Sequence, residues 1–559
     1  MKRFPIIYVR GYAGPTAGID LQVDDPFYGF NRGSTHVRVG GDGDPMFYQF
    51  EGPMLRLMTD ENYRLLVGGD QQQSLDDADD GSLPEASLWV YRFYDQAATT
   101  FVPPPPEGLI QRLWGNLHRR VTADGFAIED AAAGLYDLIE KVLKRTGSER
   151  VILVAHSMGG LVVRCMMQKV CAEPGRVSPK QLMSKFFTFG TPHGGIDFDL
   201  GVLDWAQQAF GPAGADIFAP AKMYGYLTPG KKFGDLPRKG DDWDPQRVDE
   251  EVFSPDNIFC LVGTDPKDYG IAKVVVGPKS DGLVRIERAY VRKAHRAYVF
   301  KSHSGSYGEV NSEEGYQNLR RFLFGRWSVS AALQGLPPYP ADMDQLPEAD
   351  RWPVWQADSS LAIRGVSIVM SEQQAAHWCP IQINEELARH VDSADTPVPL
   401  VSTFLLDPAH EAMLREEREE PTRPMRHGGR LRYVLSLRVF KLVEQGGGFR
   451  FTEHLEQVPD WADSLIVDVG PNDRGDGVQA WTAWNSEVAG PNDELDPITE
   501  GLPPDRRAPL AFTSTNGKLS YRVELPSVAQ ALQVLGQGAH LTITVEDREP
   551  PPGETWSPS

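Results

Sequence analysis

Apolar runs of strand length alternate with amphipathic, helix-length segments through the first 325 residues of the chain. The segment from Ile128 to Lys144 shows the helical period most clearly, because its apolar residues recur every three or four positions and form one stripe. The runs predicted to be strands are, in chain order, PIIYVRG, SLWVYRFYD, VILVA, FFTFG, NIFCLVG and RAYVFKS. This alternation predicts an α/β fold in which helices cover both faces of a doubly wound, mostly parallel sheet.

Two long insertions interrupt the alternation. Residues 15–86 are rich in Gly and Asp, a composition typical of loops. Residues 196–255 place aromatic side chains among Gly and Pro after a predicted strand, so this insertion is expected either to cap a site or to pack down on the surface. Its aromatic residues include Trp205, Phe210, Phe218, Tyr224 and Tyr226.

The pattern changes after Trp327. A Pro-rich stretch at 335–353 predicts a linker, and beyond it period-two alternation replaces the helical period, as in RLRYVLSLRVFKLV and HLTITVE. We therefore expect an α/β domain over residues 1–334, an all-β, sandwich-like domain over 354–548 and a disordered tail over 549–559.

The segment VILVAHSMGG, residues 151–160, carries the most informative local pattern. A buried strand runs into Ser157, and two glycines open the next predicted helix. In a nucleophile elbow, a serine on such a strand-to-helix turn projects its hydroxyl above the sheet, and the turn requires small residues two positions before and after it. Ala155 and Gly159 occupy those positions. An ordinary strand–turn–helix with an idle serine is the alternative, and the specificity of the motif favours a nucleophile.

A serine hydroxyl is a weak nucleophile by itself, so the elbow predicts an acid and then a histidine further along the chain. His303 is the preferred base because it follows a predicted strand, and working residues in parallel sheets lie beyond the carboxyl ends of strands. His295 is the alternative base, but it precedes that strand. His193, in GTPHGG, precedes both candidate acids and would break the order.

The orienting acid is predicted to be Asp281, in KSDGLV. Its Asp-Gly pair predicts a turn that presents the carboxylate, and the following LVRIERAYV is expected to begin a helix that fixes its direction. Asp265, in GTDP, is the alternative acid, although an aspartate before proline more commonly caps or braces a loop.

The oxyanion formed during acyl transfer needs two backbone amides, one after the nucleophile and one from the loop after the first core strand. Met158 supplies the first. Tyr12 is the expected second donor, because Gly11 and Gly14 let the chain turn close to the site.

Taken in order, VRGYAG, AHSMGG, FGTPHGG and SDGLV resemble the core of α/β-hydrolase lipases and esterases. The pattern is similar to the bacterial lipases and to acyl hydrolases related to GPI-inositol deacylase and lecithin:cholesterol acyltransferase. The resemblance covers about residues 1–325. It implies an α/β-hydrolase fold with a cap insertion, Ser157 as nucleophile, Asp281 and His303 completing a triad, and Tyr12 in the oxyanion loop.

Two residues depart from the pattern of these lipases. Arg10 stands where many of them have His before the Gly, so the sequence does not fix the conformation of the oxyanion loop. Ala155 stands where many have Gly, a change that keeps the side chain small. The β-rich C-terminal part carries no resemblance that we identify.

Composition limits the partners. A net charge of −21 and a pI of about 5.1 disfavour nucleic acid and anionic membrane surfaces. Four cysteines are too few and too scattered for a disulfide framework and lack zinc-ligand spacing, and PNDRGDG lacks the spacing of a calcium loop, so we expect neither a metal nor a cofactor. No stretch reads as a cleavable signal peptide or a transmembrane segment, which predicts a cytoplasmic protein, with leaderless secretion as the alternative.

Three classes of function follow from these patterns. The leading hypothesis is a serine carboxylic-ester hydrolase that cleaves lipid or other apolar acyl esters through an acyl-enzyme. The second is a secreted phospholipase toxin with an immunity partner, suggested by a leaderless hydrolase core joined to a β-rich domain that would dock a protein partner. The third is a non-catalytic binding protein on a hydrolase scaffold, against which the intact order of Ser, acid and His argues.

Overall fold

The chain forms two compact units, Lys2–Leu319 and Arg320–Ser559, which are described separately. A computed structural model of the 559-residue chain describes residues 2–11, 38–39, 45–46, 51–66, 71–91, 128–196, 217–267, 277–303, 308–337, 353–384, 397–421, 429–441, 458–471, 478–489, 497–515 and 517–548.

The first unit is built on a seven-stranded sheet in which neighbouring strands are parallel. Its strands are β1 (Ile6–Val9), β4 (Arg64–Leu65), β5 (Ser87–Tyr91), β6 (Val151–His156), β7 (Met183–Phe189), β8 (Ile258–Gly263) and β9 (His295–Val299), while β2 (Arg38–Val39) and β3 (Pro45–Met46) form a separate pair. The order is β4-β5-β1-β6-β7-β8-β9, so the chain switches direction between β1 and β6. Open α/β sheets bind ligands at this switch point, beyond the carboxyl ends of the strands.

Helices alternate with these strands along the chain. They are α1 (Glu51–Asp60), α2 (Gln71–Asp77), α3 (Ile128–Thr146), α4 (Met158–Gln168), α5 (Pro179–Leu182), α6 (Met223–Leu227) and α7 (Glu313–Phe324). The apolar stripe of α3 is buried, and α4 is buried from Met158 to Met167. A helix that is apolar around most of its surface is expected to lie inside a core. The burial of α4 therefore fixes the position of Ser157, the residue before it.

The segment 15–86 holds more regular structure than its composition predicts. It contributes α1 and α2, and β4 forms the edge of the sheet by pairing with β5. The prediction of a loop was wrong here because β4 is only two residues long and gains its hydrogen bonds from a neighbour more than twenty positions away, which no local pattern reveals.

The described part of the second insertion packs down into the core. Phe218 and Tyr226 are fully buried among the core residues of the first unit, and α6 lies in this segment. Trp205 and Phe210 lie outside the described residues.

The second unit consists of two antiparallel sheets. Its strands are β10 (Gly325–Gln334), β11 (Trp355–Ile363), β12 (Val369–Gln373), β13 (Ile381–Gln382), β14 (Val398–Leu406), β15 (Leu431–Lys441), β16 (Trp461–Pro471), β17 (Val478–Trp484), β18 (Phe512–Thr515), β19 (Lys518–Glu524) and β20 (His540–Asp547), with helices α8 (Pro408–Glu417) and α9 (Ser527–Gln530). One sheet has the order β14-β10-β20-β19-β18, and the other β12-β11-β15-β16-β17 with β13 beside β11. Both contribute to one apolar core, so the predicted α/β fold with a C-terminal all-β, sandwich-like region is confirmed.

The boundary between the two units falls earlier in the sequence than 334/335, where it was predicted. Strand β10 pairs with β14 and β20, and the division falls inside α7. The Pro-rich stretch at 335–353 therefore connects two strands of the second unit and is not a linker between domains. Most of that stretch, the loop PNDRGDG after its first residue, and the tail 549–559 lie outside the described residues.

All four cysteines are buried and none forms a disulfide, as predicted. Across the described parts of the chain, we find no helix with the length and apolar character needed to cross a bilayer.

Candidate active site

Ser157 lies at the turn between β6 and α4, with φ 53° and ψ −129°. A positive φ is uncommon for a residue with a side chain, and such strain, of order 1–3 kcal/mol, persists only where the surroundings impose it. Two hydrogen bonds hold the turn: the Ser157 amide donates to the carbonyl of Phe189 at 2.9 Å, and the hydroxyl of Thr191 donates to the carbonyl of Ser157 at 3.0 Å. The local geometry is that of a nucleophile elbow.

Gly159 explains why the motif requires a small residue after the serine. A Cβ added there would come within 2.4 Å of the carbonyl oxygen of Val9, at the end of β1. Any side chain would push α4 away from the central strand. Ala155, two residues before the serine, is fully buried, consistent with its replacing glycine at a crowded position.

The three residues predicted to form a triad lie together. Nε2 of His303 is 3.0 Å from Oγ of Ser157, and Nδ1 of His303 is 2.8 Å from Oδ2 of Asp281. The three are almost completely buried, with exposed fractions of 6% for Ser157, 2% for His303 and 1% for Asp281. This continuous chain of hydrogen bonds can carry a proton from the serine hydroxyl to the imidazole while the carboxylate fixes the tautomer.

The carboxylate of Asp281 is oriented by backbone amides. Its Oδ1 accepts hydrogen bonds from the amides of Leu283 at 2.8 Å and Val284 at 2.7 Å, and the amide of His303 donates to the Asp281 carbonyl at 2.9 Å. The helix expected after Asp281 does not form. The chain makes one short 3-10 turn at Ile286–Arg288, because the turn closed by Asp281 and the return to β9 leave room for no more.

The alternative acid and the two other candidate histidines contact different groups. Oδ1 of Asp265 accepts a hydrogen bond from the amide of Lys267 at 2.8 Å and so braces its own loop. His295 begins β9, at the amino end of the strand and on the edge of the sheet opposite Ser157. Nε2 of His193 lies 3.2 Å from the hydroxyl of Thr188.

The predicted oxyanion donors are described in part. Met158 is the first residue of α4 and is buried, so its amide lies at a helix N-terminus directly after the serine. Tyr12 lies outside the described residues. The chain at Gly11, the last residue described before it, is close to the elbow, because a Cβ added to Gly11 would lie 2.8 Å from Cβ of Ser157.

Two further titratable residues surround His303, and neither was predicted. Nε2 of His156 donates to the carbonyl oxygen of His303 at 3.1 Å, and the two rings are 4.8 Å apart. Burial, followed by the nearby His303, lowers the pKa of His156 well below its usual value, which keeps this ring neutral. The carboxyl group of Glu309 is fully buried beside the same histidine.

His156, His303 and Glu309 are also the group of potential metal ligands that the described residues provide, with one ligand atom from each within 4.8 Å of the others. Both ring nitrogens of His303 already have partners, Ser157 and Asp281. A metal ion bound here would displace one of these hydrogen bonds, so the residues fit a proton-transfer site better than a metal site. The expectation of no metal stays a prediction.

Hydrogen-bonded Ser, His and Asp side chains beyond the carboxyl ends of the strands in a parallel sheet are the arrangement found in α/β-hydrolase-type proteins. Residues 132–197 match the family model of lecithin:cholesterol acyltransferase, a segment that contains Ser157 and ends before Asp281 and His303. This match supports an acyl hydrolase or acyltransferase at the general level.

Other comparisons add little. A solved structure from Listeria innocua, described as the product of the gene lin2722, is 14% identical, with a TM-score of 0.24 over 58% of this chain and 94% of its own. No curated protein matches the chain.

Proposed function

We propose that this protein is a serine carboxylic-ester hydrolase that acts on lipid or other apolar acyl esters. The observation that carries the proposal is the buried hydrogen-bonded chain from Ser157 through His303 to Asp281. The family match to lecithin:cholesterol acyltransferase around the elbow supports an acyl substrate.

The proposed reaction passes through an acyl-enzyme. Oγ of Ser157 attacks the ester carbonyl carbon while Nε2 of His303 takes the hydroxyl proton. The tetrahedral intermediate then collapses, and His303 returns the proton to the leaving alcohol. Water, deprotonated by His303, then attacks the carbonyl carbon of the acyl-enzyme. The second tetrahedral intermediate collapses, the acid leaves, and His303 returns the proton to Oγ of Ser157. Asp281 stabilises each imidazolium without accepting its proton.

Charge that develops on the carbonyl oxygen needs preorganised donors. We assign this role to the amides of Met158 and Tyr12, the first at the N-terminus of α4, where the helix dipole also favours negative charge. Removal of one such donor typically lowers turnover by about 100- to 1,000-fold.

The remaining proposals concern the protein around the site. We propose that the reaction uses no cofactor or metal, that the β-rich unit docks a lipid assembly or a protein partner, and that the protein works in the cytoplasm.

A pair of serine variants tests the activity. Ser157→Ala should abolish hydrolysis of p-nitrophenyl acyl esters, because no other group replaces the attacking oxygen. Ser148→Ala is the matched control, since the Ser148 hydroxyl is buried without a hydrogen-bond partner among the described residues and lies before the amino end of β6. Turnover of a series of chain lengths by the wild type, Ser157→Ala and Ser148→Ala measures both predictions. Equal loss in both variants, or full activity in Ser157→Ala, would contradict the proposal.

A further inference from the structure

A second carboxyl group lies behind the Asp281–His303 pair. Glu309 is fully buried, and its carboxyl oxygens make no hydrogen bond of normal geometry among the described residues, although the backbone amide of Gly263 lies close enough to affect its pKa. Buried carboxyl groups with so little hydrogen bonding are rare, because an unsatisfied polar group in the interior is costly. The position of this group therefore calls for an explanation.

The surroundings of Gly190 show where the carboxyl group lies. A Cβ added to Gly190 would be 2.1 Å from Oε1 of Glu309, 2.8 Å from Nδ1 of His303 and 3.1 Å from Oδ2 of Asp281. Oε1 of Glu309 therefore already lies where a side chain at position 190 would be, next to Nδ1 of His303 and Oδ2 of Asp281. A small shift of a Glu309 carboxylate would let it accept the Nδ1 proton of His303.

The backbone of Glu309 is hydrogen-bonded to the residue before His303. Its amide donates to the carbonyl of Ser302 at 2.9 Å, and its carbonyl accepts the hydroxyl proton of Ser312 at 2.8 Å. These two bonds position the backbone of Glu309 beside the histidine.

The charge state of this cluster follows from its members. Burial and then the negative charge of Asp281 raise the pKa of Glu309 well above its usual value, while a hydrogen bond from the backbone amide of Gly263 acts in the opposite direction. The other titratable groups around it are His303 and His156, and His156 is neutral. Two adjacent carboxyl groups resist simultaneous ionisation, so the raised pKa of Glu309 makes it the one that holds its proton.

We propose that Glu309 is a reserve acid for His303, a positioning residue that orients the imidazole whenever Asp281 carries no charge. Loss of the Asp281 charge removes one of the causes that keep Glu309 protonated. Its carboxylate can then accept the Nδ1 proton and leave Nε2 free to serve as base for Ser157. This role rests on the proposed function, because it acts through the same histidine.

The test compares turnover of a soluble acyl ester by four full-length proteins. In a Ser triad without a reserve, an Asp→Asn change costs about 10⁴-fold in kcat. We expect Asp281→Asn to lose less than this, and Asp281→Asn/Glu309→Gln to fall at least tenfold below Asp281→Asn. Asp281→Asn/Asp265→Asn is the matched control and should equal Asp281→Asn, since Asp265 braces another loop.

The pH profile separates a positioning role from a structural one. The residual kcat of Asp281→Asn should rise with pH as Glu309 ionises, more steeply than that of the wild type, and the rise should vanish in Asp281→Asn/Glu309→Gln. If the double variant does not fold, the profile of Asp281→Asn decides alone. A profile parallel to the wild type, or a double variant equal to Asp281→Asn at every pH, overturns the reserve acid.

The outcome for Glu309 is separable from that of the proposed function. Loss of wild-type turnover in Ser157→Ala tests the hydrolase without reference to Glu309. If that loss occurs and the Asp281→Asn pair shows no difference, only the reserve acid fails.

Discussion

At the residue scale, the candidate site is a buried cluster in which two titratable neighbours of His303 are uncharged. Asp281 is hydrogen-bonded to His303, while burial keeps His156 neutral and Glu309 protonated. An imidazolium formed at His303 is then balanced by one carboxylate, an interaction that is stronger in a dry interior than in water. A second carboxylate would compete for the imidazolium proton, and a protonated His156 would repel the imidazolium, so the neutrality of both neighbours is part of how the site would work.

Replacement of the proposed base should be far more damaging than replacement of the alternative histidine. His303→Gln is expected to lower kcat by several orders of magnitude, because the imidazole that is hydrogen-bonded to Oγ of Ser157 is lost. His295→Gln makes the same chemical change at the amino end of β9 and should alter kcat by less than tenfold. Steady-state kinetics on one soluble ester compares them; similar losses in both would contradict the assignment of the base.

How far these residues could be predicted depends on how local their signals are. Ser157 was predicted because an elbow needs particular small neighbours, and Asp281 and His303 because each follows a strand-like run in the order that such sheets use. His156 and Glu309 carry no such signal. His156 looks like part of the elbow motif, and the burial of Glu309 beside His303 appears only after β8, β9 and the chain at Gly190 have come together.

At the element scale, α4 is joined to two distant segments by one buried cation. The guanidinium of Arg164 donates to the carbonyl oxygens of His193 at 3.0 Å, Pro245 at 2.6 Å and Arg247 at 2.9 Å. Burial lowers the pKa of Arg164 to about 10, so it remains charged at neutral pH. These bonds hold the loop after β7 and part of the second insertion against the helix that begins at the elbow.

Removal of this cation should destabilise the first unit strongly. Arg164→Leu leaves three carbonyl groups without their donors, at a cost of about 1–3 kcal/mol each, so a total loss of about 3 kcal/mol or more is expected. Arg176→Leu is the control, because Arg176 pairs with Asp137 near the surface, where an ion pair contributes roughly 1 kcal/mol or less. Denaturant unfolding of both variants measures the difference. Equal effects would show that Arg164 does not hold these segments.

Elements with a clear hydrophobic periodicity were predicted well from the sequence, and short elements were not. Helix α3 begins at the predicted Ile128 and ends two residues beyond Lys144, since its apolar stripe extends over the whole helix. The helix expected in LVRIERAYV is absent, because tertiary hydrogen bonds to Asp281 close a turn where the local pattern alone favours a helix.

At the scale of the whole molecule, the described residues form two large apolar cores of different construction. One surrounds a parallel sheet and the other lies between two antiparallel sheets. The change from helical to period-two hydrophobic spacing along the sequence predicted both cores. The predicted boundary between the two units, however, lies too far along the chain. Strand β10 pairs with β20, some 200 positions away, and a Pro-rich stretch following a strand does not tell which unit owns that strand.

The central claim is that Ser157 is the activated nucleophile of the intact protein. Its most direct test is to treat the full-length chain with a fluorophosphonate and to locate the adduct by peptide mass spectrometry. Our account predicts a single adduct on Ser157 that is absent from Ser157→Ala and retained in Ser148→Ala. An adduct on another serine, or labelling that persists in Ser157→Ala, would contradict it.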